Sequence, residues 1–202
     1  MDLLSSQTLA VMRELEELDA KDRTDGTPFF ERLRSVTPEI GRFLEILVLA
    51  THAQTVVECG TSGGYSTLWL ASAARANGGR VVTFEIAPAK IERAQKTFVD
   101  AGLSDVIELH HEDVLVGLTR FTESADLVFI DHEKALYEQL LEPAVRALRP
   151  GGLLIADNLT SSESALAGFR EAALAHPELA AQVVPIGKGE LIAVKHPPEV
   201  FR

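Results

Sequence analysis

The chain has 202 residues and a mass of 21.9 kDa, and 46% of its residues are hydrophobic, a composition typical of one globular domain. Its 19 Lys and Arg residues against 30 Asp and Glu residues give a net charge of −11, which argues against nucleic acid or an anionic membrane surface as partner, because both bind clustered basic side chains. Cys59 is the single cysteine, so an intrachain disulfide is excluded and a reducing, cytoplasmic location is favoured.

Two helices are predicted in the first 50 residues. Apolar side chains recur at spacings of three to five residues over 2–20, as on an amphipathic helix, and a polar loop follows over 21–28. A second helix is expected from Pro38 to about Ala50, with Thr37 as its cap. The acidic N-terminal segment lacks the basic region of a secretory signal, and no run of 18 apolar residues occurs, so we expect neither a leader nor a transmembrane segment.

From residue 54 onward, short β-branched segments alternate with longer helical ones. We predict strands at 54–59, 80–85, 105–110, 125–130 and 152–156, with helices near 64–76, 88–101, 113–120 and 134–148. Several of these strands are apolar nearly throughout, as strands of a sheet that is covered on both faces must be. The alternation predicts an α/β fold with a doubly wound, mostly parallel sheet.

The C-terminal part predicts an antiparallel end to this sheet. After a helix near 162–175, two strands at 182–186 and 190–195 are separated by only three residues. Three residues are too few for a parallel crossover, so the two strands should form a hairpin. We therefore expect one domain over 1–202, with an N-terminal helical cap at 1–50 and a Rossmann-like core at 54–195.

Two features at the strand ends suggest a nucleoside site. The first strand runs into a glycine-rich turn with the sequence ECGTSGGYS, which would let a ligand approach the backbone, although an ordinary tight turn has the same composition. The second strand ends in Glu85, which could accept hydrogen bonds from ribose hydroxyls or simply cap a helix. The glycines have the spacing G-x-x-G-G, which disfavours a dinucleotide fingerprint.

The third strand end and the histidines are less specific. Asp113 could accept a hydrogen bond from an adenine amine, or it could cap a helix that begins at Val114. No second histidine at a zinc-binding spacing accompanies His111 or His132, so a zinc site is not expected, and His132 should pack beside a ligand. Cys59 is predicted to be a buried apolar residue.

The fourth and fifth strand ends carry oxygen-bearing side chains that suggest a metal. If these strands are neighbours, Asp131, Asp157 and Asn158 lie close together and could bind Mg²⁺ or another hard divalent cation; alternatively, they are independent helix caps. Lys134 should face the same place, where burial would lower its pKa and make it a candidate base, unless it pairs with Glu138 on the helix surface.

The segments ECGTSGGYSTLWLA, VVTFEI, LVFIDHEKALY and LRPGGLLIADN together resemble class I S-adenosylmethionine-dependent methyltransferases. More narrowly, they resemble the cation-dependent O-methyltransferases that include catechol and caffeoyl-CoA O-methyltransferase. The resemblance covers about residues 30–195, with these segments in order at matching strand ends. It implies an S-adenosylmethionine-dependent enzyme that methylates a hydroxyl of a small catechol-like or other vicinal-hydroxyl acceptor with the help of a divalent cation.

The resemblance also implies a role for individual positions. The S-adenosylmethionine site would be formed by Glu58 and Gly60 at the methionine part, Ser66 at its carboxylate and Glu85 at the ribose. Asp113 and Val114 would flank the adenine with His132 nearby, and Asp131 would also contact the cofactor. The cation would be held by Asp131, Asp157 and Asn158, and Lys134 would be the general base.

Two departures from the family pattern concern the acceptor. Family members usually carry a bulky insertion after the Asp-Asn pair, whereas residues 159–163 here are short and polar. In addition, the register of Glu190 differs by one position from that of the glutamate that contacts the diol in the catechol enzyme. Three alternatives stay open: a metal-independent methyltransferase for another nucleophile, a nucleotide-binding oxidoreductase, and a non-catalytic binding protein. The N-terminal helices with the loop 23–28 would form a lid, and lids of this kind often pack on a second subunit, which predicts a homodimer.

Overall fold

A seven-stranded sheet with the order β3-β2-β1-β4-β5-β7-β6 forms the centre of the computed structural model, which describes residues 3–197. Strands β1 to β5 pair in parallel, whereas β7 is antiparallel to both β5 and β6. The predicted doubly wound sheet with a C-terminal hairpin is confirmed. The strands are Thr55–Cys59 (β1), Arg80–Glu85 (β2), Ile107–His111 (β3), Ala125–Ile130 (β4), Leu148–Ala156 (β5), Leu179–Val184 (β6) and Glu190–Lys195 (β7).

Helices cover both faces of the sheet because its strands are apolar on both sides. Adjacent residues such as Val56 and Val57 point to opposite faces and belong to two separate apolar cores, one on each side of the sheet. The first four helices pack on one face and the last three on the other. The helices are Ser6–Asp22 (α1), Pro38–Ala50 (α2), Tyr65–Ala76 (α3), Pro88–Asp100 (α4), Val114–Gly117 (α5), Tyr137–Ala147 (α6) and Ala167–Ala175 (α7).

The N-terminal helices begin at side-chain caps. The Ser5 hydroxyl accepts the Thr8 N–H at 3.0 Å, and the Thr37 hydroxyl accepts the Ile40 N–H at 3.4 Å. The second helix therefore has the predicted bounds, with Pro38 in its first turn. The first helix begins at Ser6, whereas the sequence predicted a start at residue 2. Residue 2 lies outside the described residues.

Several element bounds differ from the sequence prediction because strand pairing sets them. Strand β6 begins at Leu179 because its register with β7 runs from Leu179 opposite Lys195 to Val184 opposite Glu190. Pro185 follows that register and has no N–H to extend the ladder. The helix predicted over 113–120 is one α-helical turn followed by a 3₁₀ turn, and those predicted to begin at 134 and 162 become regular α-helix only at 137 and 167.

The strand order reverses at β1, which pairs with β2 on one side and with β4 on the other. The connections from these strands leave in opposite directions, so a crevice opens beyond their carboxyl ends, where ligands bind in sheets of this type. No helix within residues 3–197 is both long and apolar enough to cross a membrane.

Candidate active site

A cavity of about 490 Å³ lies at this crevice. Its walls come from the turn after β1, the ends of β2, β4 and β5, the hairpin before β7, and the segment 29–36 between α1 and α2, and this volume suits a small-molecule site. The cavity brings together seven of the residues predicted from the sequence: Gly60, Ser66, Glu85, Asp131, His132, Lys134 and Asn158.

The glycine-rich turn after β1 depends on a close approach of two strand ends. Gly60 has a φ of +109°, and a Cβ atom at this position would lie 2.3 Å from the carbonyl oxygen of Asp131. Only glycine tolerates both the left-handed backbone and this contact. The turn therefore brings backbone N–H groups at the start of α3 and the end of β4 to the same wall of the cavity.

Glu85 lies at the end of β2 with its carboxylate held by the backbone. One oxygen accepts the Ser62 N–H at 3.0 Å, and the other accepts the N–H groups of Ile86 and Ala87 at 2.9 and 3.0 Å. The carboxylate lines the cavity in a fixed orientation, as a group that binds paired hydroxyls should be. Its contact with a ribose stays a prediction.

Glu58 lies beneath the turn and does not line the cavity. Its carboxylate accepts three side-chain hydroxyls, from Ser66 at 2.6 Å, Thr67 at 2.5 Å and Thr83 at 2.7 Å. Complete burial raises the pKa of Glu58 to about 7 in spite of these hydrogen bonds. The Ser66 hydroxyl, predicted to hold a cofactor carboxylate, is thus donated to Glu58 here, and Glu58 braces the turn from below.

Asp113 and Val114 also lie outside the cavity lining. Asp113 is exposed and caps α5, because its carboxylate accepts the Leu115 N–H at 2.8 Å, whereas Val114 is packed in an apolar core. The interpretation of Asp113 as a helix cap is therefore confirmed. Adenine contacts by Asp113 and Val114 stay predictions, as does the role of His132, whose ring lines the cavity and whose pKa is lowered by burial.

The three predicted metal ligands converge because β4 and β5 are parallel neighbours. The side-chain amide of Asn158 donates to the Asp131 carboxylate at 3.0 Å, and the Asn158 N–H donates to the Asp157 carboxylate at 2.5 Å. Asn158 has a φ of +75°, a conformation that asparagine tolerates better than most residues. Burial and the nearby Asp157 charge raise the pKa of Asp131, so its charged form is disfavoured at this place.

This arrangement fits a hard divalent cation. It offers two carboxylates and the side-chain carbonyl oxygen of Asn158, and a positive ion between them would offset the like charges of the carboxylates. Over residues 3–197 no group of three or more His, Cys, Asp or Glu side chains is arranged to hold a metal. The remaining coordination positions would therefore belong to solvent or substrate.

Lys134 is positioned at the same place by three contacts. Its Nζ atom lies 3.6 Å from the Asp131 carboxylate, 3.3 Å from the carbonyl oxygen of His132 and 3.4 Å from the hydroxyl of Tyr137. The ion-pair partner is Asp131, not Glu138 as the alternative interpretation expected. Burial lowers the pKa of Lys134, while the neighbouring carboxylates oppose this effect.

Two further residues support this cluster: Tyr137, which sequence reasoning missed, and Glu190, whose contact with the acceptor it left unassigned. Tyr137 is fully buried beneath Lys134, and its hydroxyl donates to the carbonyl oxygen of Asp157 at 3.1 Å. Glu190 is fully buried with no hydrogen-bond partner for either carboxylate oxygen among the described residues, and burial together with the nearby Asp157 carboxylate raises the pKa of Glu190 to about 11. The spacing of Tyr137 one turn after Lys134 was an available signal, whereas the position of Glu190 depends on the pairing of β7 with β5.

The segment 29–36 closes one side of the cavity. The Ser62 hydroxyl donates to the carbonyl oxygen of Leu33 at 2.7 Å, and Arg34 forms an ion pair with Glu133. The Asp22 carboxylate accepts the Leu33 N–H at 2.7 Å. These contacts tie the segment both to α1 and to the loops that carry the candidate site.

Comparisons with known proteins agree with this geometry. A family model described as O-methyltransferase matches residues 3–173. A catechol O-methyltransferase from Niastella koreensis is 35% identical over 149 residues, which cover 67% of each chain. An O-methyltransferase from Bacillus cereus, solved in complex with SAH, has a TM-score of 0.79 at 28% identity and covers 92% of this chain and 90% of that one. TomG from Streptomyces achromogenes, an O-methyltransferase involved in tomaymycin synthesis and solved with SAM, has a TM-score of 0.77 at 25% identity, with coverage of 91% and 89%.

Proposed function

Because the chain belongs to the O-methyltransferase family, we propose that it transfers a methyl group from S-adenosylmethionine to a hydroxyl of a small catechol-like or other vicinal-hydroxyl acceptor, with the help of a divalent cation. The observation that carries this proposal is the convergence of Asp131, Asn158 and Lys134 on one wall of the cavity that the glycine-rich turn also lines, with the buried Asp157 carboxylate directly behind Asn158.

The cofactor would lie along the glycine-rich turn. Gly60 provides a wall without a side chain, and the fixed carboxylate of Glu85 is suited to the two ribose hydroxyls. His132 would pack beside the nucleoside. The similarity to proteins solved with SAM and SAH supports this proposal. S-adenosylmethionine supplies a methyl group that is already activated by its positively charged sulfur.

The acceptor would lie between the cofactor and the acidic cluster. Asp131, Asp157 and Asn158 would hold the cation, which lowers the pKa of a vicinal hydroxyl when it is bound. Lys134 would take the proton from the hydroxyl oxygen, because burial favours its neutral form and the carbonyl of His132 fixes the position of its Nζ atom. The segment 29–36 would exclude water from the reacting oxygen.

The decisive experiment is a methyl-transfer screen over ortho-diphenols with and without a chelator. We expect turnover that the chelator abolishes, and we expect Asp131→Ala to lose at least 100-fold in kcat while S-adenosylmethionine affinity changes only a few-fold. Asp105→Asn is a control on the surface, away from the cavity. Full turnover in the presence of chelator would instead select the metal-independent methyltransferase.

A further inference from the structure

The cavity reverses the charge balance of the chain. Its lining carries three acidic side chains, whereas the whole chain has 30 acidic residues against 19 basic ones. The five basic side chains of the lining are Arg23, Arg34, Lys90, Lys134 and Lys188. A concave site with this excess attracts anions even though the rest of the molecule repels them.

Three of these cations already form an ion pair with a carboxylate. Arg23 pairs with Asp19 and Lys134 with Asp131. Arg34 pairs with Glu133, and the side chain of Lys90 lies within the electrostatic influence of Glu85 at the predicted ribose site.

Lys188 and Lys90 are the two cations of this lining without such a pair among the described residues, and Lys188 is the one away from the predicted ribose site. The Lys188 side chain forms no hydrogen bond and no ion pair within 4.0 Å with any residue that the structure describes. Because Lys188 lines the cavity, its side chain is available to a ligand there.

The backbone of Lys188 is fixed on the acceptor side of the cavity. Its carbonyl oxygen accepts the N–H groups of Thr160 and Ser161 at 2.9 and 3.1 Å, together with the Thr160 hydroxyl at 2.6 Å. Asn158, Ser161 and Lys188 therefore form one polar wall next to the acidic cluster. The electrostatic influence of Lys188 extends to Asp131, which places its charge near the predicted diol.

The segment 29–36 adds an aromatic pair to the cavity lining. Phe29 and Phe30 are 54% and 71% exposed, and their rings meet edge to face with centroids 5.5 Å apart. The guanidinium of Arg34 lies 4.8 Å from the centre of the Phe29 ring. An exposed aromatic pair and an unpaired ammonium in one cavity match a ligand with one flat apolar face and one negative end.

We propose that the acceptor is an aromatic vicinal diol that carries a carboxylate, and that Lys188 binds this carboxylate. The position of the diol in this inference rests on the proposed function, whereas the carboxylate site does not depend on it. The diol would lie at the acidic cluster, the ring against the aromatic pair, and the carboxylate at the polar wall. Lys188 is thus a specificity-determining residue for the acceptor.

The test compares two acceptors of the same shape and different charge, 3,4-dihydroxybenzoate and 3,4-dihydroxybenzamide. We expect the wild-type enzyme to prefer the acid about tenfold or more in kcat/KM, the value of one charge-assisted hydrogen bond. Lys188→Gln should abolish the preference by lowering kcat/KM for the acid far more than kcat/KM for the amide, and Lys188→Arg should restore most of it. As a control, Arg80→Gln removes one positive charge from an exposed residue at the start of β2, at the amino ends of the strands, and should keep the preference.

A binding measurement separates this inference from the proposed function. Calorimetric titration of each acceptor into the complex with S-adenosylhomocysteine requires no methyl transfer, and the cofactor's own carboxylate is already bound. Tighter binding of the acid that depends on Lys188, without turnover of either compound, would refute the diol acceptor and support the anion site. Equal affinity for acid and amide would overturn the inference even if both compounds are methylated.

Discussion

At the scale of single residues, the site is built from carboxyl groups that the fold holds in unfavourable surroundings. Glu58 is the clearest case, since burial raises its pKa from 4.5 to about 7. The folded state then keeps a proton that the unfolded chain has lost, so the contribution of Glu58 to stability falls as the pH rises from about 4.5 to about 7. The three hydroxyl groups that donate to Glu58 reduce this rise in pKa but do not abolish it.

Glu58→Gln cannot titrate, and we expect its free energy of unfolding to decrease less than that of the wild type over this pH range. The difference should amount to at most about 3 kcal/mol, since each pKa unit corresponds to about 1.4 kcal/mol. Urea unfolding between pH 4.5 and pH 8 measures it, with Glu163→Gln on the exposed surface as the matched control. Parallel pH profiles for the wild type and Glu58→Gln would contradict the shift.

Asp131→Asn should stabilise the protein when divalent cations are removed. The substitution keeps an oxygen that can accept a hydrogen bond from the Asn158 amide and removes a charge that burial and the Asp157 carboxylate disfavour. Addition of Mg²⁺ should then raise the thermal midpoint of the wild type but not of this variant. Thermal unfolding in chelator and in Mg²⁺ measures both effects, and a variant that is less stable than the wild type in chelator would refute the repulsion.

At the scale of elements, the turn between β1 and α3 requires glycine for two reasons that can be separated. We expect Gly60→Ala to destabilise the protein by more than 3 kcal/mol, because the left-handed backbone and the contact with the Asp131 carbonyl both disfavour a side chain. Gly26→Ala is the control, since Gly26 has a φ of +91° with no atom within 4 Å of an added Cβ, and it should cost only about 1 kcal/mol. Chemical denaturation of both variants measures the difference, and equal losses would show that the close approach is unimportant.

At the scale of the whole molecule, the segment 29–36 and the strand ends line one cavity, so a ligand bound there should stabilise the entire domain. S-adenosylhomocysteine at 100 times its Kd should add about 2.7 kcal/mol, which corresponds to a rise of about 5–10 °C in Tm for a chain of this size. NAD at the same concentration should leave the Tm unchanged, because the turn lacks the dinucleotide spacing. A larger shift with NAD would favour the oxidoreductase alternative.

The homodimer and the cytoplasmic location stay predictions. Size-exclusion chromatography with light scattering would measure the oligomeric state. A monomer at micromolar concentration would mean that the lid acts without a second subunit.

The sequence by itself determined the order of the elements, the parallel core and the strand ends that carry chemistry. These depend on local signals: β-branched runs, a Thr37-Pro38 helix start, a glycine-rich turn, and polar residues directly after apolar strands. Asp131 and Asp157 could be placed together from the sequence because neighbouring parallel strands end at the same edge of a sheet.

Only the tertiary structure decided which side chains face the cavity and which lie beneath it. Glu58 and Ser66 bond to each other, and Glu190 joins Asp157 through strand pairing across more than 30 residues. Lys188 acquires its position from a hairpin that packs on the loop after β5. Burial, pairing register and unsatisfied charge arise from contacts between distant segments, and no local pattern in the sequence encodes them.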